Sequence, residues 1–155
     1  MPPVNHVNGH CSEWIYGLLL GEIKQPAIMK TKIWANFSVR DLERTTAFYK
    51  QIGFRHNGAS DQLTSFFFGE ESFIIHFFLK NILEPAMKGP IVDAHAGNEI
   101  IFTLSADSKD DVHRWEKAVQ QAGGTIVSKP EEFGEGYYGF VFADPDGHRF
   151  NVFHM

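Results

Sequence analysis

The chain has 155 residues, the size of one ordinary domain, and 14 basic against 19 acidic side chains give a formal charge of −5. No run of Lys or Arg offers the clustered cations that phosphate binding needs, so a dedicated nucleic-acid binder is excluded. An apolar fraction of 43% with 15 Phe excludes a disordered chain, and the short apolar runs exclude a spanning helix. One cysteine, Cys11, makes no internal disulfide and no CxxC zinc pattern, which points to a reducing, cytoplasmic setting without membrane attachment.

Residues 1–28 read as a flexible N-terminal extension. Their apolar stretch, Trp14 to Leu20, has no basic start before it and is a poor signal peptide, and His6, His10 and Cys11 read as incidental. The expected folded domain runs over 29–155 in two modules, about 30–80 and 98–155.

Taken in order, Ile33–Val39 is β-rich. Asp41 is placed to cap a helix whose apolar face is Leu42, Thr45, Phe48, Tyr49 and Ile52, and Gly53 stops it. Phe54–Asn57, Leu63–Phe68 and Phe73–Leu79 read as three strands. Lys80–Asn98, with two Pro and two Gly, reads as a linker. The pattern then repeats. Glu99–Leu104 is a strand; Asp107 or Ser108 caps a helix about one turn longer than the first, carrying Val112, Trp115, Val119 and Ala122 on one face; Gly123-Gly124 ends it. Thr125–Ser128, Tyr138–Ala143 and His148–Phe153 close the chain as strands. The expected fold is α+β: two tandem βαβββ modules forming a curved mixed sheet around a pocket.

Strand alternation sorts the faces. Ile33, Ala35, Phe37 and Val39 are expected on the helix, as are Ile100, Phe102 and Leu104. Trp34, Asn36 and Ser38 then share the open face with Glu99, Ile101 and Thr103. Aligning the modules on Val39 and Leu104 pairs Trp34 with Glu99, and aligning the last strands pairs His76 with Asn151. His76 and Glu99 are the candidate catalytic groups, since imidazole and carboxylate both move protons. Trp34, Asn36, Ser38, Thr103, Asn151 and Arg149 are candidate pocket residues, with Arg149 suited to a carboxylate. The segment Glu131 to Gly139 reads either as a glycine-hinged lid or as an exposed turn with Tyr on the sheet edge, and His148 as a surface turn residue.

The opening Val39-Arg40-Asp41-Leu42 with Ala47-Phe48-Tyr49 and Gly53-Phe54, and the closing Asp144-Pro145-Asp146-Gly147-His148, resemble the vicinal oxygen chelate superfamily. That superfamily includes lactoylglutathione lyase, extradiol dioxygenases, fosfomycin resistance enzymes and bleomycin resistance proteins. The resemblance spans roughly residues 30–155. It implies a pocket, a homodimer and, in metal-using members, a divalent ion held from positions that fall on Trp34, His76, Glu99 and Asn151. Of these only His76 and Glu99 are good ligands, too few for a catalytic zinc site. The expected function is therefore a glyoxalase/bleomycin-resistance-like pocket protein binding an organic ligand, with no cofactor or a weakly held divalent metal. The alternative is a metal-dependent lyase or isomerase acting next to a carbonyl.

Overall fold

The computed structural model describes residues 31–70 and 73–155; the predicted extension over 1–28 lies outside them. The first module runs β1 (Trp34–Val39), α1 (Leu42–Gln51), β2 (Arg55–Ala59), β3 (Leu63–Phe68) and β4 (Phe73–Leu79). A helix α2 (Lys80–Met87) follows. The second module runs β5 (Ile101–Ser105), α3 (Lys109–Gln121), β6 (Thr125–Ile126), β7 (Glu131–Phe133), β8 (Tyr137–Ala143) and β9 (Arg149–His154). The first sheet has strand order β1-β4-β3-β2 and the second β5-β9-β8-β6, with β7 also on β8. In each, the first strand pairs parallel with the last and the other pairings are antiparallel. The predicted repeat is therefore present as two sheets of one topology.

The two repeat helices are built by the same devices. The Asp41 carboxylate caps α1 by accepting from the Arg44 N–H at 2.9 Å, and the Ser108 hydroxyl caps α3 by accepting from the Asp111 N–H at 3.1 Å. At the other end Gly53 N–H bonds Lys50 C=O and Phe54 N–H bonds Tyr49 C=O, while Gly123 and Gly124 repeat the pattern on Gln120 and Val119. This is the paired 5→2 and 6→1 closure that requires a left-handed residue, supplied by Gly53 at φ 102° and Gly123 at φ 88°. The helices have 10 and 13 residues, so the second is longer by about a turn.

One core serves both modules. Tyr49 of α1 lies 4.4 Å from the Phe77 ring of the first sheet and 6.1 Å from Phe150 of the second. Phe48 reaches Phe142, and Phe54 reaches Trp115 of α3. Phe48, Tyr49, Phe66, Phe77, Phe140, Phe142 and Phe150 are fully buried. Each sheet thus meets its helix on one face, and the opposite face is left open.

Several expectations need correction. Residues 80–87, read as linker, are helical: Leu79, Ile82, Leu83 and Met87 recur at helical spacing, Leu83 is buried, and Lys88 ends the helix in a left-handed conformation at φ 54°. The second module's first strand begins at Ile101 rather than Glu99. Asn98 is pinned to Ala94 C=O and Gly147 C=O through its side chain, and the ladder to β9 starts only at Ile101 opposite Arg149. Ile33 and Ile100, expected on the helix face, lie before their strands and are exposed. The strand predicted over 125–128 stops at Ile126 because Val127 N–H and Ser128 N–H converge on the single Val141 carbonyl, breaking the ladder. The predicted lid is a paired hairpin, with Phe133 opposite Tyr137 and Glu131 opposite Gly139.

Candidate functional site

On the open face of the first sheet, His76 of β4 stands between Asn36 of β1 and Ser65 of β3. Ile74 and Phe78 flank it along its strand, the Phe78 ring 6.0 Å away. Ser65 is already engaged, accepting from Asn57 Nδ2 at 3.0 Å. His76 Nδ1 is sealed from water and has no hydrogen-bond partner among the described residues. Burial pushes the His76 pKa below the ordinary histidine value, so the ring is neutral near pH 7.

The second sheet repeats this arrangement. Asn151 of β9 stands between Thr103 of β5 and Val141 of β8, and its Oδ1 is likewise sealed and unpartnered. Asn151 lines a recess of about 210 Å³ with Ser128, Glu131, Phe133, Gly139 and Val141. A side chain at residue 139 would collide with Val152 C=O and the Phe153 Cβ, so glycine keeps this floor low. Phe133, Tyr137 and Phe153 form an aromatic group beside the recess, with ring centroids 5.7–6.3 Å apart. Arg149, on the same strand face as Asn151, is half-buried and forms no ion pair with any described residue.

The ladders revise the pairing of site positions. Asn36 faces His76 and Thr103 faces Asn151, so Asn36 and Thr103 are equivalent. Two residues back on the same face lie Trp34 and Ile101, 48% and 49% exposed. Trp34 therefore pairs with Ile101, and Glu99 is displaced out of the strand. The four positions that would hold a chelated ion are Trp34, His76, Ile101 and Asn151. Trp34 and Ile101 have no donor atom for a metal, and Asn151 offers one neutral oxygen. Among the described residues no three His, Cys, Asp or Glu side chains are grouped so as to hold a metal ion. This donor set does not fit a resident divalent ion.

Glu99, Asn36 and Ser38 do come together, in another place. They line a cavity of about 280 Å³ between the free edge of β1, α2 and the chain over 91–100. That chain is fastened down by Arg40 to Asp93 at 2.6 Å, and by the close approach of Ala94 and His95 to Gly147. The same cavity receives Asp146 and His148. Thr103 instead lines a separate recess of about 350 Å³ with Phe54, Phe73, Phe102 and Trp115.

His148, expected at the surface, is only 8% exposed. Its Nδ1 lies 2.9 Å from Asp144 Oδ2, which also accepts from the Tyr49 hydroxyl at 2.8 Å. Asp144 Oδ1 accepts from the N–H groups of Asp146 and His148. The Phe37 ring stacks on His148 with centroids 4.3 Å apart and planes 6° from parallel. The signal for this in the sequence was Asp144 four residues before His148, across a Pro-Asp-Gly turn.

No helix among the described residues is long and apolar enough to cross a membrane. Comparison with solved structures supports the fold. A hypothetical protein from S. aureus is 27% identical and superposes with a TM-score of 0.74 over 83% of this chain and 96% of that one. A fosfomycin resistance protein from Mesorhizobium loti matches at 19% identity and TM-score 0.61, covering 83% of this chain and 94% of that one. A lactoylglutathione lyase from Agrobacterium tumefaciens matches at 20% identity and TM-score 0.61, covering 82% and 95%. No curated protein matches the chain. Residues 33–152 match the family described as the glyoxalase/bleomycin resistance protein/dioxygenase superfamily, and with most of its length so matched the chain belongs to that superfamily.

Proposed function

We propose that the protein binds a small organic anion with an aromatic body directly on the open sheet faces rather than through a metal, with His76 the anchor on the first sheet and Asn151 and Arg149 the anchors on the second. The observation that carries this reading is the pair of sealed, unpartnered atoms His76 Nδ1 and Asn151 Oδ1 at equivalent positions of the two sheets. Leaving such a group unmet costs about 1–3 kcal/mol, so each is better explained by a partner that arrives from outside the chain. Arg149 supplies a half-buried cation on the same face, and Trp34, Phe78, Phe133, Tyr137 and Phe153 supply aromatic surface. The net charge of −5 favours cations at long range. The Arg149 guanidinium, without an ion pair among the described residues, reverses that preference locally, because a fixed donor fork at contact distance outweighs a screened net charge.

The test is a thermal-shift panel of benzoate, salicylate and phenylacetate, run beside Mn²⁺, Zn²⁺, Ni²⁺, Co²⁺ and Mg²⁺. We expect stabilisation by at least one aromatic carboxylate, lost in Arg149→Met and Asn151→Leu, and no near-stoichiometric metal in freshly purified protein. Metal retained through His76 with no response to any carboxylate would reverse the reading. A second reading rests on the depressed His76 pKa: a neutral imidazole can take a proton next to a substrate carbonyl, as a lyase or isomerase requires. Turnover lost in His76→Gln with ligand binding retained would favour it. The same proposal takes the protein as a cytoplasmic homodimer; sedimentation showing only monomer would contradict the dimer.

A further inference from the structure

We propose that the cavity between β1, α2 and the chain over 91–100 is a second ligand site, taking a small molecule with a weakly acidic hydroxyl, of the phenol or enol class, whose proton His148 accepts. The site is distinct from the open-face residues His76 and Asn151, neither of which lines it. Its volume of about 280 Å³ exceeds the roughly 150 Å³ that houses a benzene ring.

The protonation state of His148 follows from its partners. Asp144 accepts hydrogen bonds from two backbone N–H groups and from the Tyr49 hydroxyl, so it is an acceptor toward His148 as well. Nδ1 therefore carries the hydrogen, and Nε2 carries the lone pair. Nε2 has no hydrogen-bond partner among the described residues, the ring's one bond being made through Nδ1. The residue is otherwise nine-tenths buried, is held by the Phe37 stack and lines the cavity. A base with its orientation fixed on one side and its lone pair free on the other is built to receive a proton.

The remaining wall selects the class. Leu83, Met87 and Ile91 suit a carbon body. Lys80 and Glu99 also line the cavity, and neither is engaged in an ion pair with a described residue. His148 offers a lone pair rather than a donor at Nε2, which argues for a ligand whose hydroxyl arrives protonated. In the transfer the O–H bond breaks, its electron pair stays on oxygen, and an N–H bond forms at Nε2. The imidazolium is then stabilised by Asp144, and Lys80 supplies a cation for the new oxyanion.

The experiment uses the full chain and 4-nitrophenol, colourless as the phenol and yellow as the phenolate, in buffer below the compound's own pKa. We expect a saturable yellow absorbance as protein is added. The phenolate-to-phenol ratio of the bound compound should rise about tenfold, one unit of pKa. The signal should vanish in Met87→Trp, which puts a larger ring on the cavity wall at an exposed position. It should vanish in His148→Gln and persist in His76→Ala. No yellow signal with the native protein, a signal unchanged in Met87→Trp, or one lost in His76→Ala would each overturn the proposal. If His148→Gln fails to fold by its melting curve, the native and Met87→Trp titrations decide.

Discussion

The two sides of the sheets treat polar groups in opposite ways. On the side shared with the helices, Asp144 has four donors, and Asp146 accepts from the Arg40 N–H, the Arg44 guanidinium and Thr45. On the open side His76 Nδ1 and Asn151 Oδ1 are sealed with no partner, and Arg149 has no counter-ion among the described residues. Both regions are partly or wholly removed from water, so burial alone does not separate them. The difference is completion: the Asp144 and Asp146 carboxylates are finished by the chain's own donors, and His76 Nδ1 and Asn151 Oδ1 wait for atoms from elsewhere. Groups of the first kind should govern stability, and groups of the second kind binding.

The largest expected effect is at Asp144. Asp144→Ala leaves the Tyr49 hydroxyl, the His148 ring and two N–H groups of the closing turn without their acceptor. We expect a loss of about 3–5 kcal/mol in urea unfolding. A loss below about 1 kcal/mol would mean that the turn does not hold the modules together. Tyr49→Phe removes one of those donors and keeps the ring packing against Phe77 and Phe150. It should cost about 1.5–3 kcal/mol, in the range of a hydrogen bond to a charged acceptor. A neutral Tyr49→Phe would show that His148 and the turn amides satisfy Asp144 unaided.

A smaller effect sharpens the contrast from the open side. Burial holds the His76 pKa below its unfolded value. The unfolded chain therefore binds the proton more readily, and the native state loses stability as pH falls through the unfolded histidine value of about 6.5. The loss stops accumulating once pH is below the native pKa. His56 shifts the same way through burial and Lys50, so the His76 share is the part removed in His76→Leu. An unchanged pH profile in that variant would place the His76 ring in water.

Much of this molecule was legible in its sequence. The repeat, its caps and its glycine stops are local signals, and each is read within one or two helical turns. The Asp-Pro-Asp-Gly turn and the Asp-Leu helix start carried the superfamily. The linker helix α2 was hidden because Pro85 and Gly89 read as breakers, although Pro85 sits inside the helix. Glu99 was misplaced because alternation fixes only which face a residue takes. It cannot tell a strand residue from one two positions upstream, and the tie of Asn98 to Gly147 that delays the strand spans 49 residues. The burial of His148 escapes the sequence for a similar reason: the ring that covers it, Phe37, lies far away in the chain. Interactions of that separation leave no local trace.

The most direct measurement is the urea unfolding of Asn151→Leu beside its binding of aromatic carboxylates. Leucine nearly matches asparagine in shape and removes the sealed, unpartnered carbonyl. If the open side is unfinished, the variant is as stable as the native protein or more stable by about 1–2 kcal/mol, and it no longer responds to ligand. A variant destabilised by more than about 1 kcal/mol, with ligand response intact, would show Asn151 to be part of the fold and contradict the distinction between the two sides.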